Sequence, residues 1–96
     1  MTKKRIKSIL QKSKFCFICG TDRDIEKHHI YFGPLRSISD KNGFVVCLCR
    51  EHHRGAKSPH QDRNTDLILK RMCQKKYEMD HAHEEFMQLI GRNYLD

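Results

Sequence analysis

Two short motifs of cysteine and histidine stand on either side of a histidine pair. The first is Cys16-x2-Cys19, and the second, after twenty-nine intervening residues, is Cys49-x2-His52. Two residues between ligands let both side chains converge from one turn, and three cysteines with one histidine form a common tetrahedral zinc site. The alternative is a group of reduced thiols buried in the core. We predict structural zinc on these four side chains, because an odd count of five cysteines argues against a framework made only of disulfides.

The other two cysteines have different expected roles. Cys47 lies two residues before Cys49, so on a strand both side chains point to the same face and Cys47 could compete for the metal. We predict Cys49 as the ligand, because its spacing to His52 matches the spacing of the first motif. Cys73 lies among the apolar positions of a helical pattern and is predicted to be a small core residue.

The pair His28-His29 lies between the two motifs, and His53 directly follows His52. On a strand His28 and His29 point to opposite faces, so one can hold a divalent cation while the other acts as a general base. An imidazole suits proton abstraction from water because its pKa lies near neutrality. A cation on the scissile phosphate supplies the remaining requirement of phosphodiester hydrolysis. The alternative is a set of ordinary histidines, of which the chain has seven.

Apolar and turn-forming residues predict the elements that position these side chains. Aromatic and β-branched residues favour strands, and Gly20 suits the turn that follows two thiolates. Asn42-Gly43 is a strong turn signal, and Gly55 and Pro59 disfavour a long helix after residue 50. We predict strands at 14–20, 25–32 and 44–48, a loop at 34–43, a short helix from residue 50 through His53, and an irregular segment to about residue 63.

The C-terminal third has the periodicity of two helices. We predict the first at 65–79, capped by Thr65, and the second at 83–90, followed by Gly91. Tyr94 and Leu95 are predicted to fold back onto the core. The basic residues of the first helix either contact DNA or form a solvated face, and we expect the solvated face: Lys70, Arg71, Lys75 and Lys76.

Charge indicates the class of partner. The formal net charge is +7 and the pI is about 9.3, which predicts attraction to a polyanion, and we expect this polyanion to be nucleic acid. Residues 1–14 are either a short amphipathic helix or a frayed basic tail, and both place positive charge near a nucleic-acid backbone. No stretch of about 18 apolar residues is present, so we expect a cytoplasmic protein without a membrane partner. The predicted phosphate contacts, which carry little sequence information, are Lys27, Arg36, Arg50, Arg54, Lys57 and Arg63.

The arrangement CxxC…HHI…CxxHH over about residues 14–60 resembles the HNH endonucleases, whose fold is the ββα-metal finger. The stretch Glu84-Glu85-Phe86-Met87-Gln88-Leu89-Ile90-Gly91-Arg92 resembles the C-terminal tail of small phage members, among them the recombination-enhancement nucleases. The resemblance implies an α+β fold: a zinc-stabilised finger at 14–63 after a basic segment at 1–13, followed by two C-terminal helices at 64–96.

The resemblance also implies roles for individual residues. His29 is the general base, and His28 and His53 hold the catalytic cation, which is Mg²⁺ or another divalent ion. Asn42 stands nearest to the place of the family's central asparagine and is expected to orient the loop and the base. His60 is expected to be a further ligand of the cation or a phosphate contact, and an ordinary loop histidine is the alternative.

The expected function is therefore metal-dependent hydrolysis of DNA phosphodiester bonds with weak sequence specificity. By resemblance the chain is of phage origin, acts in the host cytoplasm in DNA recombination or processing, and works with a recombinase or packaging partner. The alternative function is a non-catalytic zinc module that binds DNA or protein.

Overall fold

The computed structural model describes residues 8–95. It confirms the α+β class: one two-stranded antiparallel sheet is combined with four α-helices in this part of the chain. The elements in order are β1 (Ile25–His29), a 3₁₀ turn (Gly33–Leu35), α1 (Arg36–Asn42), β2 (Val45–Cys49), α2 (Arg50–Arg54), α3 (Arg63–Tyr77) and α4 (His83–Ile90).

Strands β1 and β2 pair antiparallel, from Ile25 opposite Cys49 to His29 opposite Val45. β1 ends at His29, although the sequence predicts a strand as far as residue 32. The reason is that a side chain, and not a neighbouring strand, pairs with the backbone groups of Tyr31. Ser39 Oγ accepts a hydrogen bond from the Tyr31 amide at 3.1 Å and donates one to the Tyr31 carbonyl at 2.6 Å. The chain then turns away from the sheet with its backbone groups satisfied.

The predicted loop at 34–43 is wrong, because most of it forms α1. Pro34 lies in the first turn of the 3₁₀ segment that leads into the helix, where its missing N–H costs nothing. Gly43 ends the helix with φ +75°, and its amide donates to the Ser39 carbonyl. The Asn42-Gly43 signal therefore marks a helix C-terminus rather than a hairpin turn.

The predicted strand at 14–20 is also wrong. Residues 17–19 form a turn, closed by hydrogen bonds from the Gly20 amide to the Cys16 carbonyl and from the Cys16 amide to the Thr21 carbonyl, both 2.8 Å. Gly20 has φ +80°, which confirms the prediction that this glycine forms a tight turn. The Phe17 amide donates to the Cys47 carbonyl at 2.7 Å, so this turn is attached to the edge of β2.

Between α2 and α3 the chain is irregular, as predicted. A Cβ at Gly55 would collide with the Glu51 carbonyl oxygen, so glycine is needed where α2 ends. Amides of Ser58, Gln61 and Asp62 then make successive backbone hydrogen bonds that fold the segment into turns. Helix α3 begins two residues before the predicted position. Its cap is Asp62, which accepts hydrogen bonds from the Asn64 amide and the Thr65 hydroxyl, and not Thr65.

The core is built around three aromatic rings. Tyr31, Phe44 and Phe86 are fully buried and pack at centroid distances of 5.5–6.3 Å. Cys73 is buried in the same cluster, as predicted. Helix α4 has the predicted bounds, and Gly91 follows it with φ +81°. Tyr94 packs against the core, but Leu95 is 40% exposed and does not.

The basic N-terminal segment is described only from residue 8. Residues 8–14 form no helix, whereas the remainder of the predicted helix, residues 1–7, lies outside the described residues. Ile9 and Leu10 pack against the core, and the Ile9 amide donates to the Gly43 carbonyl at 3.0 Å. Across residues 8–95, no helix is both long and apolar enough to cross a bilayer.

Candidate metal and catalytic site

Cys16, Cys19, Cys49 and His52 form a group that could hold a metal ion, compatible with zinc. Cys19 and Cys49 sulfurs are 3.9 Å apart, and His52 Nδ1 lies 3.7 Å from the Cys16 sulfur and 3.3 Å from the Cys49 sulfur. A zinc tetrahedron with the usual bond lengths has edges of about 3.8 Å between sulfurs and about 3.6 Å between sulfur and nitrogen. The three distances are close to these edges, and all four ligand atoms lie within 4.8 Å of one another.

Three separate elements supply these ligands. Cys16 and Cys19 lie in the segment 16–20 that forms the turn, Cys49 is the last residue of β2, and His52 lies in α2. Burial alone would raise the pKa of the Cys16 thiol, but hydrogen bonds from backbone amides of Cys49, Cys19 and Ile18 outweigh it and lower the pKa to about 6. A thiol with this pKa is largely a thiolate at neutral pH, which is the metal-binding form. Cys47 is not part of the group.

A second group consists of His28, His53 and His60. Their ring centroids form a nearly equilateral triangle with sides of 5.0–5.3 Å, and one nitrogen of each lies within 4.8 Å of the others. His28 comes from β1, His53 from α2, and His60 from the irregular segment that folds back after Gly55. The structure therefore brings His60 next to the other two, although its position in the sequence leaves its role open.

His28 is the most buried member of this group. Its exposed fraction is 1%, and its Nε2 is one of two buried side-chain polar atoms without a hydrogen-bond partner among the described residues, the other being Ser58 Oγ. Burial, with the neighbouring His60 and His53, lowers the pKa of His28 to about 3. A buried nitrogen without a partner is costly, and a neutral imidazole is the form that ligates metals. The donor set thus fits a divalent cation.

A carboxylate orients His53. Glu26 Oε1 lies 2.7 Å from His53 Nδ1, and Arg54 holds the same carboxylate at 3.0 and 2.8 Å. These hydrogen bonds, that of His53 first, lower the pKa of Glu26. A metal-ligating histidine usually donates its second ring N–H to a carboxylate, which fixes the tautomer and the ring orientation. Glu26 is not among the predicted site residues, although its position two residues before His28 places both on the same strand face.

His29 lies in a different environment from its neighbour. It lines a cleft with Arg36, His53 and His60, and its side chain is 12% exposed. Its Nε2 lies 3.2 Å from Asp40 Oδ1, which leaves Nδ1 for another partner. Burial lowers the pKa of His29 and outweighs the opposing effect of Asp40. Asp40, on α1, is a second carboxylate that the sequence analysis did not assign a role.

Asn42 lies at the end of α1. Its side-chain amide donates to the Ile38 carbonyl of the same helix at 2.9 Å. This bond stabilises the last turn of α1, the element that carries Asp40. The contact that His29 makes with this helix is with Asp40 rather than with Asn42.

The predicted DNA contacts differ in how their charges are compensated. Lys27 pairs with Asp40 at 2.8 Å, and Arg50 and Arg54 pair with Glu26. Arg36 lines the cleft beside His29, and Lys57 is exposed. The side chains of Lys27, Arg50 and Arg54 remain more than half exposed, so their charges stay accessible to a polyanion.

The prediction that Lys70 lies on a solvated helix face is wrong. It is 7% exposed and forms an ion pair with Asp66 one helical turn earlier. Its ammonium group stands 4.1 Å from the centre of the Phe32 ring. The other three basic residues of that set, Arg71, Lys75 and Lys76, are exposed as predicted.

Comparison with known proteins gives no relative: no family model, no curated protein and no solved structure matches this chain.

Proposed function

We propose that this protein is a metal-dependent DNA endonuclease of the HNH type, in which His29 is the general base. The observation that carries the proposal is the buried, partnerless Nε2 of His28 within the group of His28, His53 and His60. This group lies beside His29, whose own ring is held by a carboxylate. A cation site next to a positioned imidazole is the combination that phosphodiester hydrolysis requires.

The residues have separate tasks in this reaction. His28, His53 and His60 would hold a divalent cation, which would supply charge stabilisation at the scissile phosphate. Three imidazole nitrogens suit a transition-metal ion such as Ni²⁺ better than Mg²⁺, which prefers oxygen ligands. Asp40 accepts a hydrogen bond from His29 Nε2, so that Nδ1 is the atom that takes a proton from the attacking water. Glu26 keeps His53 turned toward the cation site. Zinc on the cysteine group would hold β2 and α2 together, and with them His53.

Charge supports DNA as the substrate. The chain has a net charge of +7, and Lys27 and Arg36 line the cleft that contains His29. Lysine and arginine next to a catalytic cleft attract the phosphate backbone and hold it without reading the bases. We therefore propose weak sequence specificity. A phage origin, a role in recombination or processing, and a recombinase or packaging partner belong to the same proposal and rest on the resemblance alone.

A supercoiled plasmid tests the proposal directly. Protein loaded with one equivalent of zinc is incubated with the plasmid and Mg²⁺, Mn²⁺ or Ni²⁺ in turn, and nicked and linear products are measured on gels. We expect cleavage with at least one of these ions and none with zinc-loaded protein alone. A non-catalytic zinc module would instead bind the DNA, take up no second metal ion and leave the plasmid supercoiled with every ion. That result would overturn the nuclease proposal.

A further inference from the structure

A second cavity lies next to the histidine cluster and shares Phe32 with it. Its charged lining residues, among residues 8–95, are Arg63, Asp66 and Lys70 of α3 and Arg92 after α4. Tyr31, Phe32 and Tyr94 supply aromatic walls. The cavity thus joins the C-terminal helices to the turn that follows β1.

This cavity has an excess of positive charge. Lys70, which is almost fully buried, pairs with Asp66, and this pair is close to neutral. Arg63 and Arg92 remain, and neither forms an ion pair with a described residue. Burial lowers the pKa of Lys70, Asp66 raises it, and the positive charges of Arg63 and Arg92 lower it further. Two exposed arginine charges thus stand beside the Lys70–Asp66 pair, and this excess of positive charge favours a bound anion.

The cavity is next to the proposed catalytic cleft. Phe32 lines both spaces, and the centre of its ring lies 4.1 Å from Lys70 Nζ and 5.0 Å from the centre of the His60 ring. Each strand of a DNA duplex carries one phosphate about every 3.4 Å of helix axis. A strand that crosses the histidine site therefore presents another phosphate within reach of these cations.

We propose that Arg63, Lys70 and Arg92 form an anion site for a backbone phosphate of the DNA strand that enters the histidine cleft. The inference rests on the proposed function, because that function identifies the polyanion. It extends the DNA-binding surface from the finger to the C-terminal helices. Arg63 and Arg92 contact the phosphate at the cavity mouth, and Lys70, held by Asp66 and the Phe32 ring, supplies the charge beneath it.

The test measures DNA binding without cleavage. Zinc-loaded protein without added Mg²⁺ is titrated into a fluorescent duplex at several salt concentrations. The wild type is compared with the double variant R63Q/R92Q and with K75Q/K76Q. The control loses the same charge from exposed positions of α3 that line no described cavity. Thermal unfolding confirms that all three proteins are folded.

We expect R63Q/R92Q to weaken binding and to reduce the slope of log K against log salt by about one for each arginine lost. K75Q/K76Q should leave the slope close to that of the wild type. Equal behaviour of the two double variants would overturn the proposal. If binding changes as expected but no variant or wild type cleaves DNA, the anion site stands and the nuclease proposal fails.

Discussion

At the scale of single residues, two carboxylates determine which nitrogen each histidine presents. Glu26 holds Nδ1 of His53, and Asp40 holds Nε2 of His29. In the cleft that both rings line, His53 therefore has Nε2 left for another partner, and His29 has Nδ1. This difference matches a metal ligand on one side and a proton acceptor on the other.

Burial of His29 sets an expected pH dependence. Neutral His29 is the active form of a general base, and burial lowers its pKa below the ordinary value of about 6.5. Cleavage should therefore rise with pH and level off with a midpoint below about 6.5. Asp40→Asn removes a contact that raises the pKa, so its midpoint should lie still lower and its maximal rate should fall. Initial rates between pH 4.5 and 8 measure both quantities, and a wild-type midpoint above 7 would contradict this assignment.

Glu26 gives a second prediction at the same scale. Glu26→Gln removes the charged acceptor of His53 while keeping the size of the side chain, so His53 is no longer fixed in orientation. Loss of such a partner typically costs about 10–100-fold in metal affinity. Calorimetric titration of zinc-loaded protein with Mn²⁺ or Ni²⁺ measures this affinity. The matched control is Asp24→Asn, which removes a nearby carboxylate that contacts Arg50 and not a histidine. Equal affinities in the two variants would exclude the positioning role.

At the scale of elements, the group of Cys16, Cys19, Cys49 and His52 joins three parts of the chain. The turn after Cys16, the end of β2 and the start of α2 meet at one group of ligands. Binding free energy at a structural zinc site is folding free energy. Removal of zinc by a chelator should therefore unfold the protein, as loss of near-ultraviolet circular dichroism would show.

The choice between neighbouring cysteines can be tested in the same way. Cys49→Ser should reduce zinc content well below one per chain and destabilise the protein, because a ligand is lost. Cys47→Ser should retain one zinc, since this thiol lies outside the group. Metal analysis after gel filtration measures the content. The reverse pattern would mean that Cys47 is the ligand.

Helix α3 contains the buried ion pair of Asp66 and Lys70. Lys70→Met leaves the Asp66 carboxylate buried without its partner, which typically costs about 3–5 kcal/mol. The double variant Asp66→Asn with Lys70→Met removes both charges and should recover most of that loss. Urea unfolding of the zinc-loaded proteins measures the free energies. Similar losses in the single and double variants would show that packing of the Lys70 stem, rather than charge, stabilises this position.

Local signals predict some of these elements and not others. Helix α4 is predictable because its apolar face and Gly91 are both local in sequence. Helix α1 is not, because its residues Ser37, Ser39 and Asn42 have turn propensity. It is stabilised instead by packing of Leu35 and Ile38 on the core. The residues 14–20 have strand propensity, but hydrogen bonds around Cys16 and Gly20 close a turn instead.

At the scale of the whole molecule, the sequence predicts the group of Cys16, Cys19, Cys49 and His52 more completely than the surroundings of His28. Spacing within each zinc motif is local, so the motifs alone indicate a site. The approach of His60 to His28 depends on how the chain returns after Gly55. The burial of Lys70 depends on Phe32, which is distant in sequence. Such long-range contacts leave no periodic signal in the residues that make them.

The proposed function has one chemical centre, His29, which a single comparison tests most directly. Zinc-loaded wild type, His29→Ala and the control His81→Ala, whose ring stacks on Tyr77 away from the cluster, are assayed for plasmid nicking with the most active divalent cation. We expect one zinc per chain in all three, an unchanged rate for His81→Ala and a rate lower by about 100-fold or more for His29→Ala. Nicking by His29→Ala at the wild-type rate would contradict the assignment of His29 as the general base.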